Sequence, residues 1–351
     1  MGLPETAFWK TAVAAKNPLE ISQLWQPKFA VAPDHRVITA GSCFAQHFSR
    51  ALLARDYKWM DSEPAPKLLS EEQARDFNYG SFSFRSGNIY TARMLRQWLS
   101  YAFEEEEQPA EYWQKDGRIY DPLRPAIEPD GFASVAEMQA SRTATLAAIR
   151  QAVTEADVFV FTMGLTECWR HRQSGLEYAM CPGTVAGDFD PACHEFVNQG
   201  YAGIWRDMRA ALKVLRRANA KLQVLLTVSP VPLTATASGQ HVLTATSHSK
   251  SVLRAVAGEL AADYKHVDYF PSYEIITHPA YRGMFYAPNQ RSVVQQGVNH
   301  VMESFFACQY ETFPWVKRKA SRGAKPQVVS KVAGASERAV KCDEEFLDAF
   351  G

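Results

Sequence analysis

The sequence predicts an α/β fold in which a parallel sheet is covered by helices on both faces. Two observations favour this class. Short continuous apolar runs alternate with longer segments of helical period along most of the 351 residues. The apolar runs also lack the polar alternation of a half-exposed strand, which is typical of strands buried on both sides.

Four apolar segments are predicted as strands, in chain order HRVITAG, DVFVFTMGLTECW, LQVLLTVSPVP and HVDYFPSYEII. The second ends in a glycine turn, and the fourth is a short strand with its loop. The helical period predicts helices over CFAQHFSRALLARDY, residues 91–103, SVAEMQASRTATLAAIRQAVTEA, FVNQGYAGIWRDMRAALKVLRRANA, SKSVLRAVAGELAADY and SVVQQGVNHVMESFFACQY. The first helix follows its strand at once, and we expect its apolar face to carry Phe44, Phe48, Leu52 and Leu53. Strands and helices therefore alternate, as βαβ units require.

We expect three regions along the chain. Residues 1–35 are an irregular lead-in, and residues 36–312 form the domain, with a polar insertion at about 104–132. Residues 313–351 form a basic tail that is low in large apolar residues, so we expect it to be flexible.

Composition excludes several classes of partner. The 38 basic residues balance the 38 acidic ones, so no overall field attracts nucleic acid or an anionic membrane. No run approaches the roughly 18 uncharged apolar residues of a membrane span, and the N-terminus lacks the apolar core of a secretory signal. The six cysteines form no CxxC pair, so we interpret them as reduced thiols and expect a cytoplasmic protein.

Candidate site residues follow the strands, because ligands of open α/β sheets bind at the carboxyl ends of strands. Ser42 stands between the first strand and its helix. It could merely cap that helix, or act as a nucleophile whose oxyanion is held by the helix amides. Cys43, in the first helical turn, is an alternative nucleophile. The phosphate-binding motifs GxxxxGK[ST] and GxGxxG are both missing from the sequence.

The pentapeptide GSCFA and the segments that follow it resemble the GSCFA-domain family over residues 35–310. Those segments are QHFSRAL, NYGSFSFRSGNIYT, FTMGLTECW, TVSPVPLTAT, SKSVLRA, YFPSYEI and GVNHVM, in that order. The family looks like a branch of the SGNH/GDSL hydrolase superfamily. The resemblance implies a flavodoxin-like, three-layer α/β/α sandwich. It also implies esterase or O-acyl (acetyl) transferase activity on an ester-bearing substrate such as a glycan ester, without a metal or organic cofactor.

The resemblance also implies site residues. Ser42 takes the place of the nucleophile, and the N–H groups of Ser42 and Gly80 would hold the oxyanion; Gly87-Asn88 is the less favoured alternative to Gly80. Gly164 is the retained glycine of a later block, and Thr166 or Glu167 stands where that block has an amide side chain. Of these two, the Thr166 hydroxyl can donate a hydrogen bond to the oxyanion and an ionised Glu167 cannot, so Thr166 is the third predicted oxyanion donor. Further residues are assigned to substrate binding: Asn78, Gly164, Asn289 and Arg291.

The superfamily's DxxH block is missing, because Asn289 and Ser292 stand in the places of its aspartate and histidine. We predict His241 as the base and Glu167 as the acid that orients it. Alternatives for the base are His278 and His300, with His47 and His171 also near enough in sequence to the site to be considered; Asp268 is the alternative acid. Two other hypotheses stay open: the protein binds a sugar or acyl group and has lost the base, or it is a thiol enzyme that uses Cys43. The oligomeric state is left open.

Overall fold

A computed structural model describes residues 2–323 of the chain. Its strands are β1 (Val37–Gly41), β2 (Trp113–Lys115), β3 (Arg118–Tyr120), β4 (Val158–Met163), β5 (Glu167–His171), β6 (Glu177–Tyr178), β7 (His194–Asn198), β8 (Gln223–Val228) and β9 (Val267–Tyr269). Its α-helices are α1 (Ala45–Leu53), α2 (Glu71–Asp76), α3 (Ala92–Ala102), α4 (Val135–Glu155), α5 (Tyr201–Ala218), α6 (Val242–Asp263), α7 (Ser272–Thr277), α8 (Gln295–Thr312) and α9 (Pro314–Gly323).

The central sheet is parallel and has the order β1-β4-β8-β9. Gly41 pairs with Thr162 and Met163 pairs with Val228, so these strands end at one edge of the sheet. A single parallel bridge between Val37 and Trp59 lies on the other side of β1. That bridge occupies the place of the second strand in the flavodoxin-like order 2-1-3-4-5.

Two hydrophobic clusters cover the sheet. On one face, Phe48 of α1 and Phe305 of α8 pack over Val160 of β4. On the other face, residues of α3, α4, α5 and α6 pack over Phe161 of β4 and Leu226 of β8. Successive side chains of a strand point to opposite faces, so each central strand is apolar on both sides. The predicted three-layer α/β/α sandwich is therefore confirmed.

A second, antiparallel sheet of order β6-β5-β7 was not predicted. Its last strand includes residues 196–198, which the sequence analysis assigned to the start of a helix. That helix, α5, begins only after Gly200. The segment 272–277, predicted as strand and loop, forms α7. Within the polar insertion, β2 and β3 form a hairpin.

A buried ionic cluster connects the insertion to α4. Asp121 accepts hydrogen bonds from Nη2 and Nε of Arg142, at 2.7 and 3.1 Å, and from Nε of Arg124 at 3.0 Å. All three side chains are fully buried. Burial alone would raise the pKa of Asp121, but the two guanidinium groups hold that pKa below its usual value.

The ends of the described chain pack on the domain. In the lead-in, Trp25 is buried and its indole N–H donates to Asp268. Part of the predicted flexible tail, residues 314–323, forms α9, in which Val316 is fully buried; the remainder, residues 324–351, lies outside the described residues. Among the helices of residues 2–323, none combines the length with the hydropathy that crossing a membrane requires.

Candidate functional site

Ser42 follows the carboxyl end of β1, and the position before it, residue 41, has room only for glycine. Gly41 has φ +128°, and a Cβ at this position would lie 2.3 Å from the carbonyl oxygen of Thr162. The Ser42 side chain does not cap α1, because that helix begins after Phe44 and has no side-chain cap. Ser42 is 2% exposed, and its Oγ makes no hydrogen bond with any described residue. The capping interpretation of Ser42 is therefore not supported by the structure.

This position is the topological switch point of the sheet. The chain leaves β1 for α1 on one face, whereas after β4 it continues to α5 on the opposite face. Connections that diverge in this way leave a crevice at the carboxyl ends of the two strands, where ligands of open α/β sheets bind. Ser42 and Gly164 lie at the ends of these strands.

Gly164 packs against Ser42 and is hydrogen-bonded to Tyr90 and Lys250. A Cβ on Gly164 would lie 2.9 Å from Cδ1 of Tyr90 and 3.1 Å from Cβ of Ser42, so a side chain cannot be placed there without displacing both. The Gly164 N–H donates to the Tyr90 carbonyl at 2.9 Å. The Gly164 carbonyl accepts a hydrogen bond of 2.7 Å from Nζ of Lys250, which is 1% exposed. Lys250 was missed by the sequence analysis.

The segment that reaches the end of β1 contains Gly87-Asn88 rather than Gly80. The N–H of Ile89 donates to the Gly41 carbonyl at 2.8 Å, and Asn88 is 3% exposed. Gly80 lies on an exposed loop with nothing within 4 Å of a Cβ placed on it. The structure therefore brings Gly87-Asn88, the alternative less favoured from the sequence, to the end of β1.

The other two predicted oxyanion donors are engaged in this conformation. The Ser42 N–H donates to the Thr162 carbonyl at 2.9 Å. The Thr166 hydroxyl donates to Oδ1 of Asn198 at 2.7 Å, and Thr166 is fully buried. An oxyanion at Ser42 would have to replace these acceptors.

All nine histidines lie within the described residues, and none forms a hydrogen bond with Ser42 Oγ. His241 is exposed at the start of α6, where its Nδ1 accepts from the Leu243 N–H at 3.2 Å. His278 caps a short turn in the same way, accepting from Ala280 N at 3.1 Å. His300 stacks on Phe285.

The two remaining histidines that were considered have other environments. His171 Nδ1 accepts from the N–H groups of Gln173 and Ser174. His47 packs on Phe44, and burial, with a further contribution from the Arg50 charge, lowers its pKa to about 3. His47 is therefore neutral at physiological pH and a weak base.

The residues in the place of DxxH form a closed turn on the surface. Asn289 Oδ1 accepts from the N–H groups of Arg291 and Ser292, both at 3.0 Å, and its Nδ2 donates to Ser292 Oγ at 2.9 Å. Asn289 is exposed and Arg291 is half-buried. Asn78 donates to the Ala126 carbonyl at 3.0 Å and so supports a loop. None of these contacts reaches Ser42.

The two candidate acids lie in different parts of the molecule. Glu167, at the start of β5, accepts from the Thr236 hydroxyl at 2.7 Å, and burial raises its pKa. Asp268 accepts from the Trp25 indole and, at 2.8 Å, from the Lys28 N–H, so it anchors the lead-in. Glu167 is the one of the two that faces a cavity.

That cavity has a volume of about 780 Å³ and lies between β5–β7, α3 and the loop after β8. Tyr90 and Leu165, which adjoin Gly164, form one wall, whereas Ser42 itself does not line the cavity. Most of its lining is apolar, with a few polar side chains such as Glu167 and Glu177, which is the usual character of a ligand pocket. No pattern in the sequence predicts this cavity, because its walls come from segments far apart in the chain.

Glu177 is a further polar group of this cavity that the sequence analysis missed. It is fully buried and accepts hydrogen bonds from the Thr91 hydroxyl and, at 2.9 Å, from Nε2 of Gln199. Burial raises the pKa of Glu177 to about 7. Its neighbour Cys168 also lines the cavity, and burial raises the pKa of that thiol, which makes it a poor nucleophile.

Comparison with known proteins finds one match to a protein family. The model of the GSCFA family matches residues 36–305, which is more than half of the chain. No curated protein matches the sequence.

Proposed function

Because the chain belongs to the GSCFA family, we propose that it is a serine esterase or O-acyl transferase whose nucleophile is Ser42. The observation that carries this proposal is the buried Ser42 hydroxyl, which has no hydrogen-bond partner and lies at the switch point of the sheet. A buried hydroxyl without a partner costs stability. The Ser42 side chain neither caps α1 nor forms a hydrogen bond with a described residue, which supports a chemical role for its hydroxyl.

The reaction would be acyl transfer. Ser42 Oγ attacks the acyl carbon while a base takes its proton, and water or an acceptor hydroxyl resolves the acyl-enzyme. The cavity would hold the acyl or alcohol part of the substrate, which reaches Ser42 past the Tyr90 ring. The Ser42 N–H and the Thr166 hydroxyl would hold the oxyanion after leaving the acceptors that they bond in this conformation. A glycan ester fits the mixed polar and apolar lining. His241, the base predicted from the sequence, makes no hydrogen bond with Ser42 Oγ in this conformation.

A fluorophosphonate probe tests the nucleophile. We expect the wild-type protein to be labelled at Ser42, as identified by peptide mass spectrometry, and Ser42→Ala to be unlabelled. Ser229→Ala is the matched control, because Ser229 is also a buried serine at the end of a central strand, β8. His241→Ala should lose labelling if His241 is the base. A wild-type protein that is neither labelled nor able to hydrolyse aryl esters contradicts the proposal.

A non-catalytic sugar- or acyl-binding protein is the second candidate. It is favoured by the engaged N–H of Ser42, the engaged hydroxyl of Thr166 and the lack of a histidine contact to Ser42 Oγ. Titration calorimetry with acetylated oligosaccharides would detect binding without turnover. Ala235→Trp should abolish it, because Ala235 is an exposed residue at the edge of the cavity.

A further inference from the structure

We infer that Lys250 is the proton acceptor of Ser42 and takes the place of the histidine that this chain does not bring to the site. This assignment rests on the proposed function, since it supplies the base that the proposed reaction needs. It is based on where Lys250 lies, on what its amine contacts and on the positions of the histidines.

Lys250 is buried in a way that no other lysine of the described chain is. It is 1% exposed, whereas every other lysine within residues 2–320 is exposed. It lies on the face of α6 that packs on the sheet, beside Leu253, a position suited to an apolar residue. Removing an amine from water is costly, so its burial here calls for a reason beyond packing.

The amine of Lys250 points to the carboxyl end of β4. Nζ donates to the Gly164 carbonyl at 2.7 Å, and Gly164 is the residue whose Cα packs against the Ser42 side chain. Lys250 and Ser42 therefore contact the same residue. The preceding residue, Ser249, accepts a hydrogen bond from the Thr166 N–H at 3.2 Å, which holds this part of α6 against the same turn.

To reach Ser42 Oγ, the amine has to turn away from the Gly164 carbonyl. A lysine amine ends a flexible four-carbon stem, so rotation about its last bonds re-aims it without moving the helix. Catalytic hydrogen bonds are often long in a free enzyme and shorten when the substrate is bound. The histidines are less suited, because His241 is exposed and its Nδ1 already accepts a hydrogen bond from the backbone.

The proton transfers balance with a neutral amine as the base. Ser42 Oγ forms a bond to the acyl carbon, its proton moves to Nζ of Lys250, and the carbonyl π electrons move to the carbonyl oxygen. When the tetrahedral intermediate collapses, the bond to the leaving alkoxide breaks, and the Lys250 ammonium protonates that alkoxide. The amine then takes a proton from the incoming water or hydroxyl, and the ammonium returns it to Ser42 as the acyl group leaves. Burial is an ordinary means by which proteins prepare a lysine for this role.

The experiment measures the rate of fluorophosphonate labelling of Ser42 in the full-length protein between pH 6 and 10. We expect Lys250→Met and Lys250→Arg each to lower the rate by about a hundredfold or more. Arginine keeps a cation that can bond the Gly164 carbonyl but cannot act as a base, so Lys250→Arg separates proton transfer from structural support. Lys213→Met, at an exposed helical lysine, is the control and should leave the rate unchanged.

Chemical rescue distinguishes a base from a residue with a structural role, because an added amine can replace only the base. Added methylamine should restore labelling of Lys250→Ala, with a rate that rises with pH as the free amine is formed. Full-rate labelling of Lys250→Met or Lys250→Arg, or a failure of amines to rescue Lys250→Ala that is folded by circular dichroism, overturns the assignment of Lys250 alone. A wild-type protein without labelling at Ser42 overturns the proposed function as well.

Discussion

The N–H of Ser42 donates to the carbonyl oxygen of Thr162, with N and O 2.9 Å apart. This bond continues the pairing of β1 with β4 by one residue and ties the backbone of Ser42 to the sheet. It leaves the side chain without any role in holding the turn. The backbone of the site is therefore rigid, while the hydroxyl is kept apart from the hydrogen bonds of the fold.

Ser42→Ala should not destabilise the protein. Because Ser42 Oγ is buried without a partner, its removal should leave the free energy of unfolding unchanged or raise it by about 1 kcal/mol. Ser83→Ala is the contrasting variant: Ser83 Oγ accepts from the Thr39 N–H at 3.0 Å, and its loss should cost roughly 1–3 kcal/mol. Urea unfolding measures both, and equal losses for the two variants would show that Ser42 has a structural role.

Gly41→Ala should be far more damaging than Gly80→Ala. Both glycines have positive φ, +128° and +67°, but only at Gly41 would a Cβ meet backbone, at 2.3 Å from the Thr162 carbonyl oxygen. We expect Gly80→Ala to cost about 1 kcal/mol, and Gly41→Ala to cost several times more or to prevent folding. Thermal unfolding of the two variants compares them. A similar melting temperature for both would be inconsistent with the tight turn before Ser42.

Glu177 should make stability fall as the pH rises from 4.5 to about 7. Its pKa is raised from 4.5 to about 7, so between these values the folded protein keeps a proton that the unfolded chain has lost. Its contribution is present in full below pH 4.5 and is lost by about pH 7, with a total on the order of 3 kcal/mol. Glu177→Gln mimics the protonated acid and should remove this dependence.

The measurement is the free energy of unfolding of the wild type and Glu177→Gln at several pH values from 4.5 to 8. The difference between the two proteins should change in favour of the variant as the pH rises. Parallel curves would mean that Glu177 ionises in the folded protein as readily as in the unfolded chain.

Asp121→Ala should cost about 3–5 kcal/mol, because it leaves the buried guanidinium groups of Arg124 and Arg142 without their carboxylate. Glu104→Ala is the control: it breaks a 3.1 Å ion pair with Arg150 in which both side chains are exposed, so less than about 1 kcal/mol should be lost. Denaturant unfolding distinguishes them. A loss below 1 kcal/mol at Asp121 would contradict the account of this cluster.

Most of the central layer could be predicted from the sequence, because its signals are local. The strands β1, β4 and β8 are continuous apolar runs, and the helices that follow them have an apolar period. The small sheet of β5, β6 and β7 could not be predicted in this way. Its pairing depends on contacts such as Cys168 with Val197, which are distant in the chain and leave no pattern within either segment.

The candidate site likewise has some features that are local in the sequence and others that depend on contacts between distant segments. From the sequence alone, Ser42 can be recognised in a Gly-Ser step after a buried strand, and Asn289 and Ser292 can be found where the resemblance implies an aspartate and a histidine. The approach of Gly87-Asn88 rather than Gly80 to β1, and the hydrogen bond from Lys250 to Gly164, depend on tertiary packing. The reason is physical: a helical lysine looks the same in sequence whether it faces water or a strand end, and only the packing of α6 on the sheet makes it buried.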